Sequence, residues 1–241
     1  MTTLFFLHGV GGGRAAWDRQ VPYFSERGYR CVAWDQPGYG GTAPVEPYTF
    51  EKVAEALARQ IEEPAVLVGH SMGGMVAQET CARFPDRVRA LVLTFTSPAF
   101  PAGSDFARQF VAVRTGPLDQ GKTMADIAAA LMPTMRGTQS DPAGVELALR
   151  TMAAVPPDTY RKAVHLLTTF DRRESLPKIR VPTLLVAGSD DQVAPPAVLE
   201  KMSKRIPGAR YVLLEGCGHL GPMDQPDAFN AVLERFFLEH L

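Results

Sequence analysis

The stretch Val66-Leu67-Val68-Gly69-His70-Ser71-Met72-Gly73-Gly74 decides how the chain is read. An apolar run over residues 65–68 predicts a short buried strand. A helical pattern follows over residues 75–84, with Ala77, Cys81 and Ala82 as small inward-facing positions. Between them stands Gly69-His70-Ser71-Met72-Gly73, a G-x-S-x-G pattern. Strand, sharp turn, helix is the setting in which that pattern predicts a nucleophile elbow. The turn forces Ser71 into strained backbone geometry and lifts its hydroxyl clear of the sheet. Glycine is needed on both sides because a Cβ would clash across so tight a turn. A helix starting at Met72 aims free N–H groups at whatever sits above Ser71. Outside that setting the same residues would be a glycine-rich turn whose serine caps a helix.

Working outward, residues 3–7 predict a buried strand that runs into His8-Gly9-Val10-Gly11-Gly12-Gly13, a flexible backbone loop. Trp17, Val21 and Phe24 recur at helical spacing and predict a helix from about residue 14 to residue 27. Residues 29–34 form a second strand, placed at one edge of the sheet, and Asp35-Gln36-Pro37-Gly38-Tyr39-Gly40 follows as a turn-rich loop. Val53, Leu57 and Ile61 mark a helix before the elbow. Later strands are expected over residues 88–95, 181–188 and 210–215, with a helix over 195–205 between the last two. Phe229, Val232, Leu233, Phe236 and Phe237 give an amphipathic stripe for a terminal helix. Strands alternating with helices imply an α/β architecture: a doubly wound, mostly parallel sheet of about six strands. Residues 98–176 break the alternation with helical segments separated by Gly116-Pro117, Pro133, Asp141-Pro142 and Pro156-Pro157. This predicts a helical cap inserted after the strand ending near Phe95, over a core made of residues 1–97 and 177–241.

Composition narrows the function. The 241 residues are 46% hydrophobic and 21% charged, ordinary for a globular domain with a full core. A formal net charge of −1 supplies no basic excess for nucleic acid or an anionic membrane. No apolar run is long enough to cross a bilayer, and residues 3–7 are too short for a signal-peptide core, so the expected location is cytoplasmic. Cys31, Cys81 and Cys217 are scattered and give neither a disulfide framework nor zinc spacing; no metal or cofactor is expected. Cys217 is read as a small buried residue, because Ser71 already has the turn a nucleophile needs.

A serine nucleophile needs a base. Of the five histidines, His219 follows the last strand in Gly216-Cys217-Gly218-His219-Leu220, where a loop returns over the carboxyl edge of the sheet. His8 and His70 sit beside glycines at strand ends and are read as structural. His165 lies in the cap, and His240 near the terminus is read as inert. An acid must orient the base. Gly188-Ser189-Asp190-Asp191 offers two adjacent carboxylates after the penultimate strand. For the oxyanion, the expected donors are the Met72 N–H and the Val10 N–H, from the loop after His8-Gly9.

These pieces together resemble the α/β-hydrolase superfamily over nearly the whole chain. The matching residues are Leu7-His8-Gly9 with Trp17, Asp35-Gln36-Pro37-Gly38-Tyr39-Gly40, Gly69-His70-Ser71-Met72-Gly73-Gly74, Gly188-Ser189-Asp190-Asp191 with Pro195, and Gly218-His219 with Gln225-Pro226 and Phe229. Within that superfamily the chain looks most like 3-oxoadipate enol-lactonases and small bacterial carboxylesterases. Such enzymes usually begin with a two-stranded hairpin before the His-Gly strand; here the strand over residues 3–7 is expected to open the sheet, as in plant hydroxynitrile lyases and salicylate-type esterases. In Gly-x-x-Asp-x-x-x-Pro the match is Gly188, Asp191 and Pro195, which predicts Asp191 as the triad acid.

The resemblance implies a serine hydrolase of a small carboxylic ester or lactone, working through an acyl-enzyme. C–C bond hydrolysis, cofactor-free perhydrolysis, hydroxynitrile lysis or a ligand receptor with a slow triad are the alternatives on this scaffold. The protein is expected as a monomer or homodimer, with no nucleic-acid or membrane partner. Expected substrate contacts are Trp17, Phe100, Met135, His165 and Leu220. Further cap candidates are Phe106, Phe110, Val113, Leu131, Met132, Met152, Leu166 and Phe170. Arg14, Arg108, Arg114, Arg136, Arg150 and Arg161 are candidates to hold a substrate carboxylate.

Overall fold

Apolar runs bounded by glycine, proline and charged turns become six strands in the computed structural model, which describes residues 1–101 and 103–241. They are β1 (Thr3–Leu7), β2 (Arg30–Trp34), β3 (Ala65–His70), β4 (Val88–Thr94), β5 (Thr183–Gly188) and β6 (Arg210–Leu214). Their order is β2-β1-β3-β4-β5-β6, and every pair is parallel. β2 is an edge strand, as expected. The winding direction reverses between β1 and β3, and in such sheets ligands bind outside the carboxyl ends of the strands at that point. The loop after β1 and the turn after β3 therefore face the same crevice.

Among the described residues the helices are α1 (Gln20–Ser25), α2 (Phe50–Ala58), α3 (Met72–Arg83), α4 (Ser104–Asp119), α5 (Met124–Met135), α6 (Pro142–Ala153), α7 (Pro157–Leu167), α8 (Pro196–Ser203), α9 (Gly221–Asp224) and α10 (Pro226–His240). Both sheet faces are covered. One core joins Leu67, Leu93 and Leu185 to Leu57, Val76 and Leu199. The other joins Phe6, Val68 and Val92 to Trp17, Phe229 and Phe237. β3 is buried at all six of its residues, as a central strand covered on both faces must be.

The expected helix over residues 14–27 is instead two pieces, a 3-10 turn at Arg14–Trp17 and then α1. Pro22 explains the break: it has no N–H to donate back, and the new helix start places it where none is required. Ala82, expected to face inward, is exposed, while Ala77 and Cys81 are buried.

From β4 to β5 the chain passes through α4 to α7. Two of the starts have a local cap: a Thr123–Asp126 capping box opens α5, and Asp141 caps α6 with Pro142 behind it. The two ends of this excursion meet at an antiparallel bridge between Ala99 and Asp171. There Phe100 N–H donates to the Phe170 carbonyl and Arg172 N–H to the Pro98 carbonyl, each at 2.8 Å. Arg172 also grips the buried Glu79 of α3 with two guanidinium nitrogens, each 2.5 Å from a carboxylate oxygen. Among the described residues no helix is long and apolar enough to cross a membrane.

Candidate active site

Ser71 joins β3 to α3 at φ 53° and ψ −118°, a backbone conformation that L residues avoid. The neighbouring glycines make it attainable. A Cβ at Gly69 would strike the Gly73 carbonyl, and one at Gly73 would strike the Leu7 carbonyl of β1. Ser71 N–H donates to the Thr94 carbonyl at 2.9 Å, and the Thr96 hydroxyl donates to the Ser71 carbonyl at 2.8 Å, so the last residue of β4 and the segment just after it hold the strained residue from both sides.

His219 and Asp191 arrive on loops from β6 and β5. His219 Nε2 lies 3.0 Å from Ser71 Oγ, and its Nδ1 lies 2.9 Å from Asp191 Oδ2. Asp191 Oδ1 accepts the N–H groups of Val193 (2.8 Å) and Ala194 (2.9 Å). Burial acts to raise the Asp191 carboxyl. The charge and hydrogen bond of His219, with the two backbone donors, outweigh it and hold the group below the ordinary carboxylate range. Asp191 is thus an ionised partner for an imidazolium. The His219 backbone is clamped: its N–H donates to the Met135 carbonyl at 2.7 Å, and His70 Nε2–H donates to its carbonyl at 2.7 Å. Asp190 turns away from this group and accepts the N–H (2.8 Å) and hydroxyl (2.7 Å) of Thr138, in the loop between α5 and α6.

Val10 borders the cavity over Ser71, and Met72, the residue after Ser71, opens α3. Among the described residues neither N–H donates to another backbone group. The Val10 N–H is aimed by its own peptide. The Gly9 carbonyl accepts from His8 Nδ1–H at 2.8 Å and from Gly12 N–H at 3.0 Å, and a trans peptide directs the Val10 N–H the opposite way. His8 Nε2 in turn accepts the Gln36 N–H at 3.1 Å. Burial lowers His8 to about 4 and His70 to about 3, so both rings are neutral supports at neutral pH.

A cavity of about 750 Å³, counted with its mouth, opens over Ser71 and His219. Met135 and Leu220 line it, as expected, together with Phe110, Met132 and Met152. Three expected contacts lie elsewhere. Trp17 is 1% exposed and sits beneath, its ring 5.1 Å from Phe6 and 6.3 Å from Phe229, because the 3-10 turn points it into the sheet-side core. Phe100 is absent from the lining and packs on Phe106 and Phe110, at ring distances of 5.7 and 5.0 Å. His165 faces solvent on α7, whose inward face carries Tyr160, Ala163 and Val164. Leu166 and Phe170 are core residues, while Phe106 and Val113 are exposed. Tyr160, Val164 and Leu167 do line the cavity and were not anticipated; their i, i+4, i+7 spacing was the available signal.

Cys217, two residues before His219, is fully buried, and burial beside Asp224 pushes its thiol well up, so it is no competing nucleophile. Among the described residues no three His, Cys, Asp or Glu side chains converge as metal ligands.

Residues 4–232 match the model of the Alpha/beta hydrolase family. A pimeloyl-[acyl-carrier protein] methyl ester esterase of Neisseria meningitidis is 31% identical over 241 residues, covering 98% of this chain and 76% of the relative. A 3-oxoadipate enol-lactonase of Acinetobacter baylyi is 28% identical, covering 97% of this chain and 89% of the relative. Among solved structures, an esterase from Thermogutta terrifontis superposes at a TM-score of 0.90 over 100% of this chain and 91% of its own, at 24% identity, which speaks for the fold. With sheet order, elbow and family model in agreement, the chain belongs to the alpha/beta hydrolase family.

Proposed function

We propose that the protein is a serine hydrolase that cleaves a small carboxylic ester or lactone. The observation that carries this reading is the unbroken contact from Ser71 Oγ to His219 Nε2, and from His219 Nδ1 to Asp191, on a strained elbow. The ester and lactone substrates in the relatives' names support the same reaction class. Residues 98–176 act as a lid domain over a core of residues 1–97 and 177–241.

Ser71 Oγ attacks the carbonyl carbon while its proton passes to His219 Nε2. Asp191 holds the Nδ1–H tautomer and stabilises the imidazolium. The Val10 and Met72 N–H groups receive the oxyanion; losing one such donor typically costs about 10²- to 10³-fold in kcat. His219 then gives its proton to the departing alkoxide, leaving the acyl group on Ser71. Water, deprotonated by His219, attacks that ester, and the second tetrahedral intermediate collapses to acid and free Ser71.

The test is stopped-flow hydrolysis of p-nitrophenyl acetate with intact-mass spectrometry. The expected result is a burst of p-nitrophenol equal to the enzyme concentration, an acetyl adduct on Ser71, and sustained turnover. Steady turnover with no adduct, unaffected by Ser71→Ala, would overturn the mechanism. One slow turnover per molecule would instead describe a ligand receptor.

A further inference from the structure

The cavity wall formed by α4 and α7 carries two polar groups that nothing in the proposed reaction uses. Arg114 is the one of the six candidate arginines that borders the cavity. The others are engaged or placed elsewhere. Arg14 pairs with Asp35, Arg108 with Asp105, Arg150 with Glu146 and Arg161 with Asp119, and Arg136 borders a separate surface recess beside Asp190. Among the described residues Arg114 has no carboxylate partner; its guanidinium carbon stands 5.1 Å from the Phe110 ring centroid. Tyr160, from α7, borders the same cavity and is fully buried, yet its hydroxyl has no hydrogen-bond partner. Burial raises this phenol above its ordinary pKa, and the Arg114 guanidinium beside it pulls the other way, through its charge and through its approach to the hydroxyl.

A buried hydroxyl without a partner has given up water and gained nothing in exchange. Arg114 beside it is a half-buried cation in a mainly apolar wall, with no carboxylate partner among the described residues. Both needs are met by one occupant that brings anionic oxygens into the cavity. Resting on the hydrolase reading above, we propose that Arg114 and Tyr160 form a subsite for a carboxylate on the substrate, remote from the ester that Ser71 attacks. The Arg114 guanidinium would donate to the carboxylate and the Tyr160 hydroxyl would complete its shell. Phe110 supports the guanidinium from the side through its ring face. The substrate class is then the half-ester or lactone of a dicarboxylic acid, and neutral esters are the poorer substrates.

The experiment compares chain-matched pairs: mono-p-nitrophenyl glutarate and adipate against p-nitrophenyl pentanoate and hexanoate. The readout is the ratio of kcat/KM for the charged ester to that for the neutral one. Arg114→Ala is expected to lower this ratio at least tenfold, chiefly through KM. Arg114→Lys should restore most of it, and Tyr160→Phe should lower it severalfold. Arg150→Ala, on the solvent side of α6, serves as the control for general charge and should leave the ratio within twofold. Adipate itself is titrated calorimetrically into the wild type, Ser71→Ala and Arg114→Ala. Binding to the first two and its loss in the third supports the subsite even if no ester is turned over, in which case the hydrolase reading fails by itself. A ratio unchanged in Arg114→Ala, equal losses in Arg114→Ala and Arg150→Ala, or adipate binding indifferent to Arg114 would each overturn the proposal.

Discussion

The floor of the cavity and its helical wall are built under different rules. On the floor, backbone meets backbone. A Cβ at Gly69, Gly73, Gly188 or Gly218 would strike a main-chain atom of a neighbouring element, and none of those atoms moves without moving a strand or loop. The helical wall presents flexible side chains to the cavity, among them Met132, Met135 and Met152. Met152 also reaches the loop after β1, where a Cβ at Gly11 would stand 3.1 Å from its side chain. Methionine fills irregular space and adapts to its occupant. The floor is therefore suited to holding a few atoms within tenths of an ångström, and the wall to accepting variation. Under the proposed hydrolase reading, chemistry falls to the first and selectivity to the second.

Ser71→Ala tests the floor most severely. It removes the nucleophile and leaves only oxyanion and binding contributions, so kcat should fall at least about 10³-fold while the circular dichroism spectrum and Tm stay close to wild type. A pure variant with near-normal turnover would place the chemistry elsewhere.

The adjacent carboxylates separate floor from wall within a single turn. Asp191→Asn replaces the acceptor that fixes the His219 tautomer, and kcat should drop about 10²-fold or more. Asp190→Asn only weakens the hold on Thr138 and should cost less than about tenfold, seen in KM as a looser α5–α6 loop. A larger loss from Asp190→Asn would reverse the two assignments.

Acid should loosen the floor first. His8 and His70 are buried and neutral, with pKa values lowered to about 4 and about 3 from an unfolded value of 6.5. Below pH 6.5 the unfolded chain takes up protons that the folded protein refuses. Their contribution is therefore fully present above that pH and is lost as pH falls through the folded values. Each can cost up to roughly 1.4 kcal/mol per pH unit in that window. Urea midpoints measured from pH 7 down to pH 4.5 should fall steadily in the wild type. His8→Gln, which lacks the titrating ring, should start lower at pH 7 and show a shallower slope; an equal slope would remove His8 from this account.

Met152→Leu should do the least. It keeps volume and apolarity in the wall, so stability should change by less than about 1.5 kcal/mol. Relative kcat/KM across short and long p-nitrophenyl esters should shift only a few-fold. A loss comparable to that of a floor residue would show that the wall is as exacting as the strand ends.

Much of the floor could be read from the chain. Gly69, Ser71 and Gly73 announce the elbow because a tight strand-to-helix turn needs glycine at set offsets: Gly69 clears Gly73 within the turn itself, and Gly73 clears the end of the neighbouring β1. The six parallel strands, with β2 at the edge, followed from apolar runs alternating with amphipathic segments. Trp17 and His165 were misread for the opposite reason. Both lie on helical pieces whose rotation is set by packing: Pro22 breaks the first helix and turns Trp17 toward Phe6 and Phe229, while the Tyr160–Val164 stripe turns His165 outward.

By itself, then, the sequence determined the fold class, the strand order's edge, the turn that exposes Ser71, and the neighbourhoods from which a base and an acid must come. Those features depend on residues near one another in the chain and on backbone sterics that no tertiary contact can relax. Only the tertiary structure decided which aromatic and methionine side chains face the cavity, and which of six arginines reaches it without a carboxylate of its own. Asp191 was already singled out by its place in Gly-x-x-Asp-x-x-x-Pro, whereas repeated arginines are chemically identical along the chain. They differ only in the partners that distant elements bring to them, and helix rotation and crossing are set by packing across the whole core.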